Sequence, residues 1–214
     1  MTMEQLSAHD VLTTTRAVRR RLDLTRPVPR ALVEECVEVA MQAPSGSNRQ
    51  DYGFVCVSDP VLRTAVADLY ERSHANAVKT LIDYDQGDVR GPAQDRLQSA
   101  GAYLREHLAE VPWLVIATIR RKRSDQADNR ELASLYGSVM PAFWSFMLAA
   151  RARGLGTCFT TRHLTYEQET ADLLGIPFDE VTQVGMTPLA YFTGTGFKPA
   201  GRIPVDEVFH HDRW

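Results

Sequence analysis

Helical and strand patterns alternate along the chain with few hairpin signals, which predicts a layered domain of the α+β or α/β class. Three stretches carry that prediction. Residues 31–43 repeat apolar side chains at helical spacing, residues 113–119 form a continuous apolar run of strand character, and residues 131–153 are apolar around more than one helical face. With 214 residues, 44% of them hydrophobic and 24% charged, the chain is long enough for one sizeable core, and a single domain over 1–214 is expected.

In the first of these helices Leu32, Val33, Cys36, Val37, Ala40 and Met41 share a stripe, and Pro29 stands just upstream, where proline suits a helix start. The turn formers Pro44-Ser45-Gly46-Ser47-Asn48 require a loop, and Phe54-Val55-Cys56-Val57 then reads as a short strand. Asp59 is placed to cap the next helix, with Pro60 at its first position and Leu62, Val66, Leu69 and Tyr70 on its buried side. Residues 71–90 are polar and poorly periodic, whereas helical character returns from Leu97 to Leu108. Pro112 separates that helix from the 113–119 strand, and the charged residues 120–130 read as a solvated loop. Gly154-Leu155-Gly156 ends the long helix. Beyond it a short strand is expected over Thr157 to Thr161, a capping box at Thr165 and Gln168, and another strand over Val181 to Gly185. The tail from Phe197 carries Val208, Phe209 and Trp214, which are costly to leave in water.

A formal net charge of -3 argues against nucleic acid as a partner. No continuous apolar run approaches the roughly 20 residues of a membrane span, and Met1 to Asp10 lacks a basic region followed by an apolar stretch, so a cytoplasmic protein is expected. Cys36, Cys56 and Cys158 are unpaired in spacing and flanked by apolar residues, the pattern of buried structural thiols. None of the six histidines has the spacing of a helical zinc site, so no metal is expected. Gly154-Leu155-Gly156 and Gly194-Thr195-Gly196 both lack the third glycine of a dinucleotide fingerprint.

The chemistry is concentrated in Arg16-Ala17-Val18-Arg19-Arg20-Arg21, which places four guanidinium groups in six residues of an acidic chain. Guanidinium forks match phosphate oxygens with paired, charge-assisted hydrogen bonds. On composition alone the segment reads as a phosphate clamp or as a solvated basic edge.

The combination is more specific. Thr14-Thr15-Arg16-Ala17-Val18-Arg19-Arg20-Arg21, an amphipathic helix, the loop Ala43 to Gln50 and an apolar strand, in that order and spacing, resemble the N-terminal signature of the nitroreductase family. The resemblance continues through Gly154-Leu155-Gly156-Thr157 to Lys198-Pro199-Ala200-Gly201-Arg202-Ile203-Pro204. It implies an α+β three-layer sandwich with a mixed central sheet flanked by helices, a homodimer, and FMN at the subunit interface. It further implies a ping-pong cycle in which NADH or NADPH and a nitroaromatic, quinone or similar electron-poor acceptor visit one site in turn.

By position in the family pattern, Arg16 and Arg19 would contact the flavin phosphate or polar ring edge, with Arg20 close by and Ala17 and Val18 giving backbone. Ser45, Asn48 and Gln50 would approach from the other subunit, Gly156 and Thr157 would lie by the ring, and Arg202 would complete the phosphate site. Residues 71–110 are expected as a lid and 197–214 as an extension packing on the partner. No catalytic side chain is expected, since FMN carries the chemistry. Two departures stand out: Thr15 occupies a place that is basic in many members, and Asn48-Arg49-Gln50-Asp51-Tyr52 replaces the frequent Asn-x-Gln-Pro-Trp. The alternatives are a flavin-sequestering protein with little turnover, or a flavin-modifying or dehalogenating member.

Overall fold

The computed structural model describes residues 6–75, 84 and 87–214. Its centre is a sheet of four strands, β1 (Tyr52–Val57), β2 (Trp113–Ile119), β3 (Leu155–Thr157) and β4 (Thr182–Tyr191), in the order β1-β2-β4-β3. Six α-helices accompany it: α1 (Ala8–Thr14), α2 (Arg30–Ala40), α3 (Pro60–Ala75), α4 (Gln94–His107), α5 (Asn129–Ala152) and α6 (Glu167–Leu174).

Strand alternation builds the layers. Trp113, Val115, Ala117 and Ile119 of β2 face α2 and α5, packing with Val33, Cys36, Val139, Phe143 and Phe146. Leu114 and Ile116 face the other way, onto Val66 and Tyr70 of α3 and Leu104 of α4. The result is the three-layer α+β sandwich expected from the sequence.

β4 serves both layers through a bulge. Ala117 pairs with Gly185 while Thr118 pairs with Gln183, so Val184 is an extra residue. An inserted residue reverses the side-chain alternation beyond it. Val184 therefore enters the α2/α5 core, and Met186, two residues on, enters the α3/α4 core.

The expected cap at Asp59 is present. The Asp59 carboxylate accepts the N–H groups of Val61 and Leu62 at 2.9 Å each, capping α3. Asp128 and Glu131 form a reciprocal capping box at the start of α5.

Four expectations need correction. The named strand pairs are all antiparallel, and the parallel component of the expected mixed sheet is reduced to an isolated bridge between Ala17 and Thr157. β3 occupies Leu155–Thr157 rather than 157–161, because its register against Leu189 to Tyr191 draws the glycine segment into the sheet. β4 runs to Tyr191, well past Gly185, since both of its neighbours supply ladder partners. Thr165 does not cap a helix: a 3₁₀ turn spans Arg162–Tyr166 and α6 begins at Glu167 without a side-chain cap.

α5 is long and apolar enough, by length and composition, to cross a membrane. Its packing explains that composition, since Val139, Ala142, Phe143 and Phe146 are fully buried within the protein. Of the expected lid over 71–110, residues 76–83, 85 and 86 lie outside the described part.

Candidate functional site

The arginine segment is held against β3. Ala17 bridges Thr157 in parallel, and the Val18 N–H donates to the Thr157 carbonyl at 2.8 Å. Gly156 permits that approach, because a Cβ there would stand 3.0 Å from the Val18 side chain and 3.1 Å from Leu22. Val18 and Leu22 are buried, so their apolar side chains fix the backbone from which the arginines project. Arg16, Ala17, Val18, Arg19, Gly156 and Thr157 are thereby brought together.

The four arginines have different surroundings. Arg16 donates from Nη1 to the Lys198 carbonyl at 3.0 Å, tying the start of the C-terminal tail to the segment. Arg19, half-buried, lies near Tyr70 and the Cys158 thiol, whose pKa burial pushes up while the Arg19 charge opposes the shift. Arg20 turns to α4, donating to the Ser99 carbonyl at 3.2 Å with its guanidinium 5.5 Å from the Tyr103 ring centre. Arg21 donates from Nε to the Thr193 carbonyl at 2.7 Å and from its Nη atoms to the carbonyls of Thr195 and Gly196. It also stacks 4.3 Å over Phe197. Phe197 packs with Phe192, and the buried Arg151 also lies against this pair, 5.1 Å from Phe197 and 5.3 Å from Phe192. Burial and the neighbouring Arg21 charge lower the Arg151 pKa.

Positive charge is left over in this region. Among the described residues, none of the ion pairs includes Arg16, Arg19, Arg20, Arg21, Lys198 or Arg202. Arg202 is exposed and donates to the Gly201 carbonyl at 3.1 Å. Among the described residues no hydrogen bond joins its side chain to residues 16–21.

The second predicted group lies elsewhere. Gly46 to Asn48 form a short 3₁₀ turn, and Ser47, Asn48 and Gln50 have φ of 55°, 52° and 51°. Non-glycine residues in the left-handed region are uncommon, and a cluster of them signals a constrained loop. The Gln50 N–H donates to Ser45 Oγ at 3.0 Å, and the Gln50 side-chain amide donates to Asn48 Oδ1 at 3.0 Å. The Gln50 amide thus braces Asn48 through Oδ1. The loop docks on α5 through Ser138, whereas α1 docks on α5 through Arg151 and Thr14. Those two points are thirteen residues apart on α5, or roughly 20 Å at 1.5 Å per residue. Val18, Leu22 and Cys158 also belong to the α3/α4 core, on the face of the sheet opposite α5. Among the described residues no hydrogen bond or ion pair joins the loop to residues 16–21.

The nitroreductase family pattern matches residues 12–191. The chain belongs to that family. Over 97% of both chains it is 28% identical to an NADH dehydrogenase of Thermus thermophilus. It is 23% identical to an iodotyrosine deiodinase of Drosophila melanogaster across 75% of its own length, a match spanning 54% of that relative. In three dimensions it is similar to the FMN and NADPH-dependent nitroreductase NfnB of Sphigopyxis sp. strain HMH. The TM-score is 0.71 at 22% identity, over 98% of this chain and 100% of the other. The likeness establishes a nitroreductase fold.

Within this family member, the sequence reading missed two polar side chains on α5. Ser138 and Arg151 are buried at positions where helical spacing otherwise supplies core residues. A small hydroxyl and a guanidinium on the apolar stripe of a core helix are the signals that mark them. The cysteines behave as structural thiols. Burial pushes both Cys36 and Cys56 up to about 11, far from a reactive thiolate.

Proposed function

We propose that this nitroreductase is an FMN-dependent oxidoreductase that takes hydride from NADH or NADPH and reduces a nitroaromatic, quinone or similar electron-poor acceptor by a ping-pong mechanism. The unneutralised guanidinium set beside Gly156 and Thr157 carries this reading, because cations without carboxylate partners fit a ligand that brings its own negative charge. When bound, FMN accepts hydride from the donor and passes reducing equivalents to the acceptor. Arg16, Lys198 and Arg202 hold the phosphate. Arg19 supplies positive charge at the polar ring edge, favouring the reduced, more anionic ring.

The separation of the loop from the arginines supports a homodimer in which Ser45, Asn48 and Gln50 of one copy approach the FMN of the other. The second copy also has a surface to cover. Tyr136, Met140, Trp144, Met147 and Phe159 line an apolar groove of about 750 Å³ along α5. Val205, Val208, Phe209 and Trp214 of the tail are likewise exposed. The three free thiols suit a reducing, cytoplasmic setting.

Purified protein is expected to be yellow and to lose its flavin absorbance on anaerobic addition of NADH or NADPH, followed by recovery when an acceptor is added. Protein that stays oxidised with both donors would favour flavin sequestration, and colourless protein that fails to take up FMN would end the reading altogether. Dehalogenation is a second reading, favoured by the similarity to the deiodinase. Release of halide from a halogenated phenol by the reduced protein distinguishes it.

The arginines are expected to separate in function. Arg16→Ala removes charge-assisted phosphate contacts worth about 1.5–3 kcal/mol, so FMN titration should show affinity falling by roughly 10- to 150-fold with little change in midpoint potential. Arg19→Ala should lower the potential instead. Equal potentials in the wild type and Arg19→Ala would remove Arg19 from the ring edge.

A further inference from the structure

Ser134 and Ser138 lie one turn apart on α5, and Ser138 is only 1% exposed. The Ser138 hydroxyl donates to the Ser134 carbonyl at 2.7 Å and accepts the Gly46 N–H at 3.1 Å. Its one proton is committed to the helix, so a lone pair faces the loop in a fixed direction. Gly46 fits closely there, since a Cβ at this position would stand 2.9 Å from Ser138 Oγ.

Ser134 is held from its other side. Arg121 donates from Nη1 to Ser134 Oγ at 3.2 Å and from Nη2 to the Ser134 carbonyl at 3.4 Å. The same guanidinium approaches the Asp51 carboxylate through Nε at 3.5 Å. The loop is therefore fastened to one pair of serines at both ends, directly at Gly46 and through Arg121 at Asp51. Between these anchors lie the left-handed residues Ser47, Asn48 and Gln50. Such a backbone persists when its surroundings over-determine it, and the serine–arginine brace provides that constraint.

We propose that Ser138, supported by Arg121, is a positioning residue for the cofactor site, holding the loop so that Asn48 gives Oδ1 to Gln50 and turns Nδ2 toward the flavin. This inference rests on the proposed FMN site shared between two copies. Ser138 acts at a distance, by setting which atom of Asn48 the flavin meets.

The test uses the dimeric holoprotein. Ser138→Ala is expected to weaken FMN binding roughly 5- to 10-fold and to shift the flavin absorption band and midpoint potential. Asn48→Ala should reproduce the spectral shift without lowering Tm. Gly46→Ala should act like Ser138→Ala by striking the hydroxyl. The double variant, in which that hydroxyl is gone, should be no worse than either single change, because the two alter one contact. Additive losses in the double variant would overturn the proposal. So would Ser138→Ala protein with a lowered Tm but wild-type FMN affinity, spectrum and potential, which would make the serine a packing residue alone. A wild-type chain that binds no FMN would overturn the functional reading and this inference with it.

Discussion

Gly156→Val is expected to yield a folded chain that binds flavin markedly more weakly. The reason is steric and local. The Cβ alone would stand 3.0 Å from two atoms of Val18 and 3.1 Å from Leu22, and valine adds two methyl groups to that crowded contact. β3 cannot give way easily, since Leu155, Gly156 and Thr157 are registered against Tyr191, Ala190 and Leu189 of β4. The arginine segment is the weaker partner, attached there by the Val18 to Thr157 hydrogen bond and two buried side chains. It should lift away, carrying Arg16 and Arg19 with it. Overpacking of this kind costs about 1–3 kcal/mol, and expressed wholly as lost affinity it weakens FMN binding by roughly 5- to 150-fold. Equilibrium titration with FMN, alongside circular dichroism to confirm the fold, decides the matter. Undiminished affinity would show that the close approach of β3 and the arginine segment is dispensable for the cofactor.

The second large effect concerns acid stability. His163 lies in the turn between β3 and α6, is 0% exposed, and among the described residues has no hydrogen-bond partner at either ring nitrogen. Burial lowers its pKa from 6.5 to about 4. A depressed histidine pKa means that the unfolded chain binds a proton between these two values while the native chain does not. The native state therefore holds its full stability above about pH 6.5 and loses it progressively as pH falls toward about 4, by about 3 kcal/mol in total. His163→Leu should remove this part of the slope. Urea unfolding of both proteins from neutral to acid pH measures the difference, and parallel curves would show that His163 is protonated in the native state without cost.

Local chemistry made much of the fold legible. Asp59 with Pro60 announced the start of α3 through the cap it forms. The continuous apolar run 113–119 read as a strand, and it is one, with all seven residues buried. What failed was structure created by partners distant in sequence. Gly154-Leu155-Gly156 reads as a helix stop because glycine favours helix C-terminal caps, yet pairing with β4 draws Leu155 and Gly156 into a strand. The site divides along the same line. Arg16 to Arg21 could be marked as anion-seeking from composition, but their individual roles depend on carbonyls contributed from elsewhere: Arg16 on Lys198, Arg20 on Ser99, Arg21 on Thr193. No local pattern could have shown that Arg21 is a clamp on the turn from which the tail departs. The loop was legible as a turn, whereas its attachment to Ser138 was not, because a hydroxyl on the apolar stripe of a helix marks a buried polar contact without saying which segment supplies the partner.

The thirteen-residue stretch of α5 between Ser138 and Arg151 has a thermodynamic consequence. If each flavin must be grasped by one chain's arginines and another chain's loop, cofactor binding and self-association become one linked equilibrium. Dilution then acts as an antagonist of the flavin, and added FMN acts as an assembly factor for the protein. Colour per chain becomes a measure of how far the chains are paired.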